Sequence, residues 1–111
     1  MGHQQPPNQP PLDFEPLYDK IVIQQKEAQQ KTAGGIFLPE GAQERFNEGI
    51  ILAVGPGYRM EDGTLQPLRV QVGETVLFAK YGGVTIDIGD HKDLVILSER
   101  DVHGIIHEGN T

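Results

Sequence analysis

A small all-β domain of short strands, a barrel or a sandwich, is the fold that this sequence predicts. Three observations predict it. Fourteen Gly and eight Pro in 111 residues cut the chain into short pieces. Runs rich in Val, Ile, Thr and Phe recur at even spacing, each closed by a turn cluster. No apolar pattern of helical period continues far enough to make a helix of ordinary length. At this length a single domain with a modest core is what fits.

Residues 1–12 carry Pro6, Pro7, Pro10 and Pro11 among Gln4, Gln5 and Gln9, with Leu12 as their one large apolar residue besides Met1. Such a segment buries too little apolar surface to offset its ordering entropy. It is read as a disordered arm that packs against nothing, followed by one domain over residues 13–107 and a frayed tail over 108–111. Phe14 to Leu17 contains Pro16, which a central strand would not tolerate, so an edge segment or the arm of an interface is expected there. Ile21, Val22 and Ile23 centre the first clear strand, over residues 20–25. Residues 26–47 are mostly polar and exceed the usual loop length, which points to a functional loop.

The apolar run of residues 48–54 has the length of one buried strand, and Gly55-Pro56-Gly57 closes it. Asp62-Gly63 then predicts a polar hairpin over residues 58–66, with Tyr58, Arg59 and Glu61 on it, projecting from the body. Strands follow over residues 75–80, 84–88 and 94–97. Ser98 is placed to cap a single helical turn over residues 99–101. A last strand is expected over residues 102–107. Phe14 and Leu17 at one end, and Val102, His103, Ile105 and Ile106 at the other, read as apolar edge segments. Exposed edges of that kind pair with something. Joining the last strand of one copy to the first of the next is a head-to-tail contact, which closes into a ring.

A formal charge of −7 argues against nucleic acid or an anionic membrane as partner. No stretch approaches the roughly 20 apolar residues that span a bilayer, and no secretory signal is visible. The absence of Cys removes disulfides and thiolate chemistry, which fits a reducing, cytoplasmic setting. Ser98 is the one serine, a poor basis for a nucleophilic relay, so no catalytic residue is assigned. Asp87, Asp90, His91 and Asp93 make the best metal-like cluster, but Asp and Gly also suit a polar turn for backbone reasons. The turn is the preferred reading, and no metal site is assigned.

The long loop holds the most unusual stretch. Ile36, Phe37 and Leu38 stand directly behind Gly34-Gly35 and before Pro39, with polar sequence on both sides. Neither a strand nor a helix accommodates that arrangement. Three large apolar side chains so placed either fold back on the core or are offered to a partner.

Five ordered segments resemble the GroES-type co-chaperonins. They are P-L-Y-D-K-I-V-I at 16–23, K-T-A-G-G-I-F-L-P at 31–39 and E-G-I-I-L-A-V-G-P-G at 48–57. V-G-E-T-V-L-F-A-K-Y-G-G at 72–83 and L-V-I-L-S-E-R-D-V at 94–102 complete the set. The resemblance implies a small irregular β-barrel subunit of a heptameric dome that caps a GroEL-type chaperonin and encloses an unfolded substrate protein. It places the chaperonin-binding tripeptide on Ile36, Phe37 and Leu38, and the mobile loop's flexible glycines on Gly34 and Gly35. The hairpin of Tyr58, Arg59, Glu61, Asp62 and Gly63 becomes the roof of the dome. No cofactor is implied for this chain, because ATP is bound and hydrolysed by the large partner. A reading from another class is a free-standing β-barrel module that offers the same loop to an unrelated partner.

Overall fold

Ile21, Val22 and Ile23 occupy the middle of strand β1 (Lys20–Gln25), and all three are buried because both faces of this strand are covered. The computed structural model describes residues 12–26, 37, 39–43 and 45–107. A short helix α1 (Glu40–Gln43) precedes β2 (Phe46–Val54). The small hairpin β3 (Tyr58–Arg59) and β4 (Leu65–Gln66) follows. Then come β5 (Thr75–Ala79), β6 (Val84–Ile88), β7 (His91–Ser98), a 3-10 turn (Glu99–Asp101) and β8 (Val102–Ile106). Six strands form one antiparallel sheet in the order β6-β7-β1-β2-β5-β8, and β3 pairs only with β4. The fold is all-β, as expected, and the barrel is incomplete. Among the described residues β6 and β8 each keep one unpaired edge.

Alternation sends Ile21 and Ile23 to one face and Val22 to the other. The main cluster gathers Ile21, Ile23, Ile51, Val76, Phe78 and Leu97, with Val70 supplied by the long connection before β5. A second cluster on Val22 collects Leu52, Ala53 and Leu94. Leu52 and Ala53 are neighbours in sequence yet share a cluster, which strict alternation forbids. The register explains it: Val22 faces Ala53 while Ile23 faces Ile51, so Leu52 is an extra residue in β2. A second irregularity sets Leu77 against Gly104 and Phe78 against Val102, leaving His103 unopposed in β8.

Three expectations need correction. Phe14 to Leu17 is not a strand. Pro16 has no N–H to give a ladder, and the chain turns at once, with the Lys20 N–H donating to the Leu17 carbonyl at 3.0 Å. Phe14 instead packs partly buried against the second cluster. The expectation that everything through Leu12 packs against nothing also fails at its last residue. Leu12 is 7% exposed and belongs to the second cluster. Finally, Ser98 sits at the cap position of the 3-10 turn without capping it; its hydroxyl accepts from Lys20 Nζ at 3.0 Å.

Leu12 yields a boundary test. Removing residues 1–11 is expected to leave the denaturation midpoint unchanged. Extending the deletion to Leu12 should cost about 1.5 to 3 kcal/mol, the value of burying one leucine side chain. Urea denaturation of the two truncations checks this.

Candidate functional site: a tethered loop, an open edge and a projecting hairpin

The long loop leaves the body after Lys26 and returns at Asn47, and the structure closes its base with buried polar groups. Asn47 is 4% exposed. Its Nδ2 donates to the Lys26 carbonyl at 2.8 Å, and its Oδ1 accepts the Glu48 N–H at 2.8 Å. The Lys26 N–H donates to the Glu48 carbonyl at 3.0 Å, and Lys26 Nζ lies 4.0 Å from the Glu48 carboxylate. The returning limb is pinned too, since Lys80 N–H donates to the Arg45 carbonyl at 2.7 Å. One amide thus serves both limbs of the loop, donating to one and accepting from the other, which an ionised carboxylate does not do. Asn47→Ala should cost about 1 to 3 kcal/mol, because a half-buried carbonyl and a buried N–H both lose the amide that bonds them. Faster amide exchange at Glu48 would accompany it, and both changes are measurable by denaturation and hydrogen exchange.

Phe37 is the member of the apolar triplet within the described residues, and it is 57% exposed. Ile36, Leu38, Gly34 and Gly35 lie outside the described residues. A phenylalanine left largely in water on the loop does not contribute to either core cluster. The reading in which it folds back on the body therefore has no support at this residue.

The second feature is the edge of β8. A groove of about 520 Å³ runs along it, lined by Arg69, Glu99, Val102, His103, Ile105 and His107. His103, the extra residue of the strand, is exposed and meets the Phe46 ring edge-on at 4.9 Å between centroids. Val102 and Ile105 pack partly buried against the main cluster, and Ile106 is buried. Leu17 is not on this edge. It is exposed beside Tyr18, Pro56, Arg59 and Leu65, which together line an apolar hollow of about 380 Å³ at the foot of the hairpin. The expected interface residues thus divide among three places: the β8 edge, the hollow at Leu17, and the second cluster at Phe14.

The third feature is the hairpin. Tyr58 pairs with Gln66 and Arg59 with Leu65, and the Gly63 N–H donates to the Met60 carbonyl at 3.0 Å. Gly57, at φ +121°, admits no side chain, since a Cβ there would lie 2.1 Å from the Gln66 carbonyl oxygen. Asp62 Oδ1 accepts the Thr64 N–H at 3.0 Å and the Thr64 hydroxyl at 2.7 Å. These bonds, the backbone one first, hold the Asp62 carboxyl below its ordinary pKa. Residues 59–67 are exposed, so the hairpin does project, as the sequence predicts. At its root the Tyr58 hydroxyl donates to Glu99 Oε1 at 2.9 Å. Burial first, then the hydrogen bond and charge of Glu99, raise the Tyr58 phenol above its usual value. Sequence reasoning missed Glu99 and Asn47, because no pattern marks a lone polar residue whose partners lie far along the chain.

The Asp87 to Asp93 turn behaves as a turn. Ile88 faces His91 across the two-residue link Gly89-Asp90, with Gly89 at φ +58°. Asp87 Oδ1 accepts the Asp93 N–H at 3.0 Å, and its Oδ2 lies 3.9 Å from Lys92 Nζ. Among the described residues no group of three or more His, Asp or Glu side chains is set to hold a metal ion. No helix among them is long and apolar enough to cross a membrane.

An open antiparallel barrel with a tethered loop and a projecting hairpin is the architecture of a known class. Residues 13–106 match the family model described as Chaperonin 10 Kd subunit, and the chain belongs to that family. Individual relatives are closely similar. Co-chaperonin GroES 5 of Rhizobium meliloti (strain 1021) is 50% identical over 95 residues, covering 86% of this chain and 90% of that protein. Co-chaperonin GroES of Novosphingobium aromaticivorans is 44% identical, covering 86% of this chain and 99% of that protein. Co-chaperonin GroES 2 of Mesorhizobium japonicum is 44% identical over 100 residues, covering 90% of this chain and 95% of that protein.

Proposed function

We propose that this protein is a co-chaperonin that caps a GroEL-type chaperonin ring as a heptameric dome in the cytoplasm. The dome encloses an unfolded substrate protein during ATP-dependent folding. The observation that carries this reading is Phe37, a large apolar side chain held largely in water on a loop whose base is closed by Asn47. The chain supplies no catalytic group and no cofactor in this scheme, and ATP is bound and hydrolysed by the partner.

The energetics favour many weak contacts over one strong one. Burying Ile36, Phe37 and Leu38 in an apolar groove contributes roughly 1.5 to 3 kcal/mol per side chain. Ordering the backbone around them costs about 1 to 2 kcal/mol per residue. The two terms nearly cancel, so one loop binds weakly. A ring of subunits presents several loops at once, and high effective concentration turns weak contacts into a firm cap. A nucleotide-driven change in the partner can then release it. The free β8 edge supports assembly, because an unpaired strand edge offers N–H and C=O groups to a neighbour.

Size-exclusion chromatography with light scattering tests the assembly, and ATP-dependent comigration with a double-ring chaperonin tests the capping. A heptamer that comigrates is the expected result. A monomer that ignores the chaperonin would instead leave a free-standing interaction module.

A further inference from the structure

Glu99 lines one end of the groove beside β8, and three separate pieces of chain meet on it. Its Oε1 accepts the Tyr58 hydroxyl at 2.9 Å, where the chain enters the hairpin. Its Oε2 accepts the Arg69 N–H at 2.6 Å, where the chain has left the hairpin. Its own N–H donates to the Asp19 carbonyl at 2.9 Å, in the turn that leads into β1. Both side-chain hydrogen bonds described between residues 58–69 and the body therefore end on one carboxylate.

The hairpin needs such a tie. It has two residue pairs, its tip is exposed, and a two-stranded ribbon of that size has no core of its own to fix its direction. The backbone holds one limb through the Gly55 N–H on the Lys20 carbonyl at 2.8 Å and the Gly57 N–H on the Tyr18 carbonyl at 3.0 Å. The outgoing limb is held apolarly further on, by Leu68 packed against the main cluster and Val70 within it, but neither contact links the two limbs at the hairpin's root. Glu99 supplies that link, accepting from Tyr58 on the incoming limb and from Arg69 on the outgoing one. A carboxylate suits the task because it offers two acceptor oxygens and binds more strongly than a neutral acceptor. Aspartate, shorter by one methylene, would not reach both donors from the same backbone position.

We propose that Glu99 is a positioning residue that sets the angle of the hairpin over the body, and so how the hairpins meet in the roof of the assembled cap. The second half rests on the heptameric reading above; the first half does not. The chain has no Cys, so Glu61→Cys places a single thiol at the hairpin tip for a spin label. Pulsed electron resonance then reads tip-to-tip distances in the assembled protein, and hydrogen exchange reads the Arg69 amide. Against this background Glu99→Ala is expected to speed exchange at Arg69 about tenfold or more, as loss of a charged hydrogen bond requires. It should also broaden the tip-to-tip distribution and bring the Tyr58 phenol back toward the titration of a free tyrosine. Glu99→Gln retains an acceptor oxygen for Arg69 and an amide beside Tyr58, and should restore a narrow distribution. Wild-type exchange and a narrow distribution in Glu99→Ala would overturn the proposal. Should the alanine variant not fold, Tyr58→Phe cuts the incoming tie alone. It is expected to broaden the distribution while Arg69 stays protected, and an unchanged distribution counts against Glu99. Absence of any tip-to-tip distance in the parent would remove the ring, while the Arg69 exchange would still judge the tie.

Discussion

Replacing Phe37 with aspartate is expected to abolish capping while leaving the subunit folded and its self-association intact. Phe37 is 57% exposed, so the substitution removes little from the body's own packing. In the bound state the same position would have to carry a carboxylate into an apolar groove. Burial of an unpaired charge costs several kcal/mol, more than the about 1.5 to 3 kcal/mol that the phenylalanine contributes. The penalty repeats at every subunit of a ring, so avidity amplifies the loss as it amplified the gain. ATP-dependent comigration with the chaperonin is the measurement, beside light scattering on the variant alone. Comigration at the parent level would mean that the triplet is not the binding element.

Phe78→Ala should bring the other large effect, on stability. Phe78 is fully buried, lies in β5 between β2 and β8, and is the largest side chain in the main cluster. Truncating a buried phenylalanine costs about 3 to 5 kcal/mol, from lost burial and from the cavity left behind. Total stabilities of single domains run to roughly 5 to 15 kcal/mol, so the variant forfeits a large share. Urea denaturation at fixed protein concentration checks this, because assembly would otherwise shift the midpoint by mass action. A loss below 1 kcal/mol, on the order of an exposed-site substitution, would show that the cluster collapses around the gap.

Most strands were legible because their side chains state a preference locally. Ile21-Val22-Ile23, Val84 to Ile88 and Leu94 to Leu97 are β-branched or alternating, and they emerged within β1, β6 and β7. The Asp62-Gly63 turn was legible for the same reason, since its backbone demands are written in two residues. What stayed hidden depends on distant partners. The run from Ile50 to Val54 conceals the extra residue Leu52, because a bulge is a property of the pairing and not of either strand. Leu12 reads as the end of a proline-rich arm until Leu52 and Leu94 are brought beside it. Asn47 and Glu99 look like ordinary surface polar residues, and only the folded register shows what each one joins. Phe14 to Leu17 failed in the opposite direction: apolar content suggested a strand where Pro16 and the left-handed Tyr18, at φ 58°, leave an irregular turn.

The extra residue at His103 bears on what subunits do before they meet. A straight, flat strand edge accepts any extended chain, including a misfolded one, and invites open-ended stacking. The irregularity between Gly104 and Val102 interrupts the regular ladder of β8 with one extra residue, and an extra residue of that kind bends a strand. A strand arriving from an arbitrary chain meets a kink after two or three residues and gains few consecutive backbone bonds. Only a segment whose own bends match is held along its length. In the assembly proposed above, that mismatch is what would keep single subunits from coalescing into fibres, although among the described residues β8 keeps one unpaired edge.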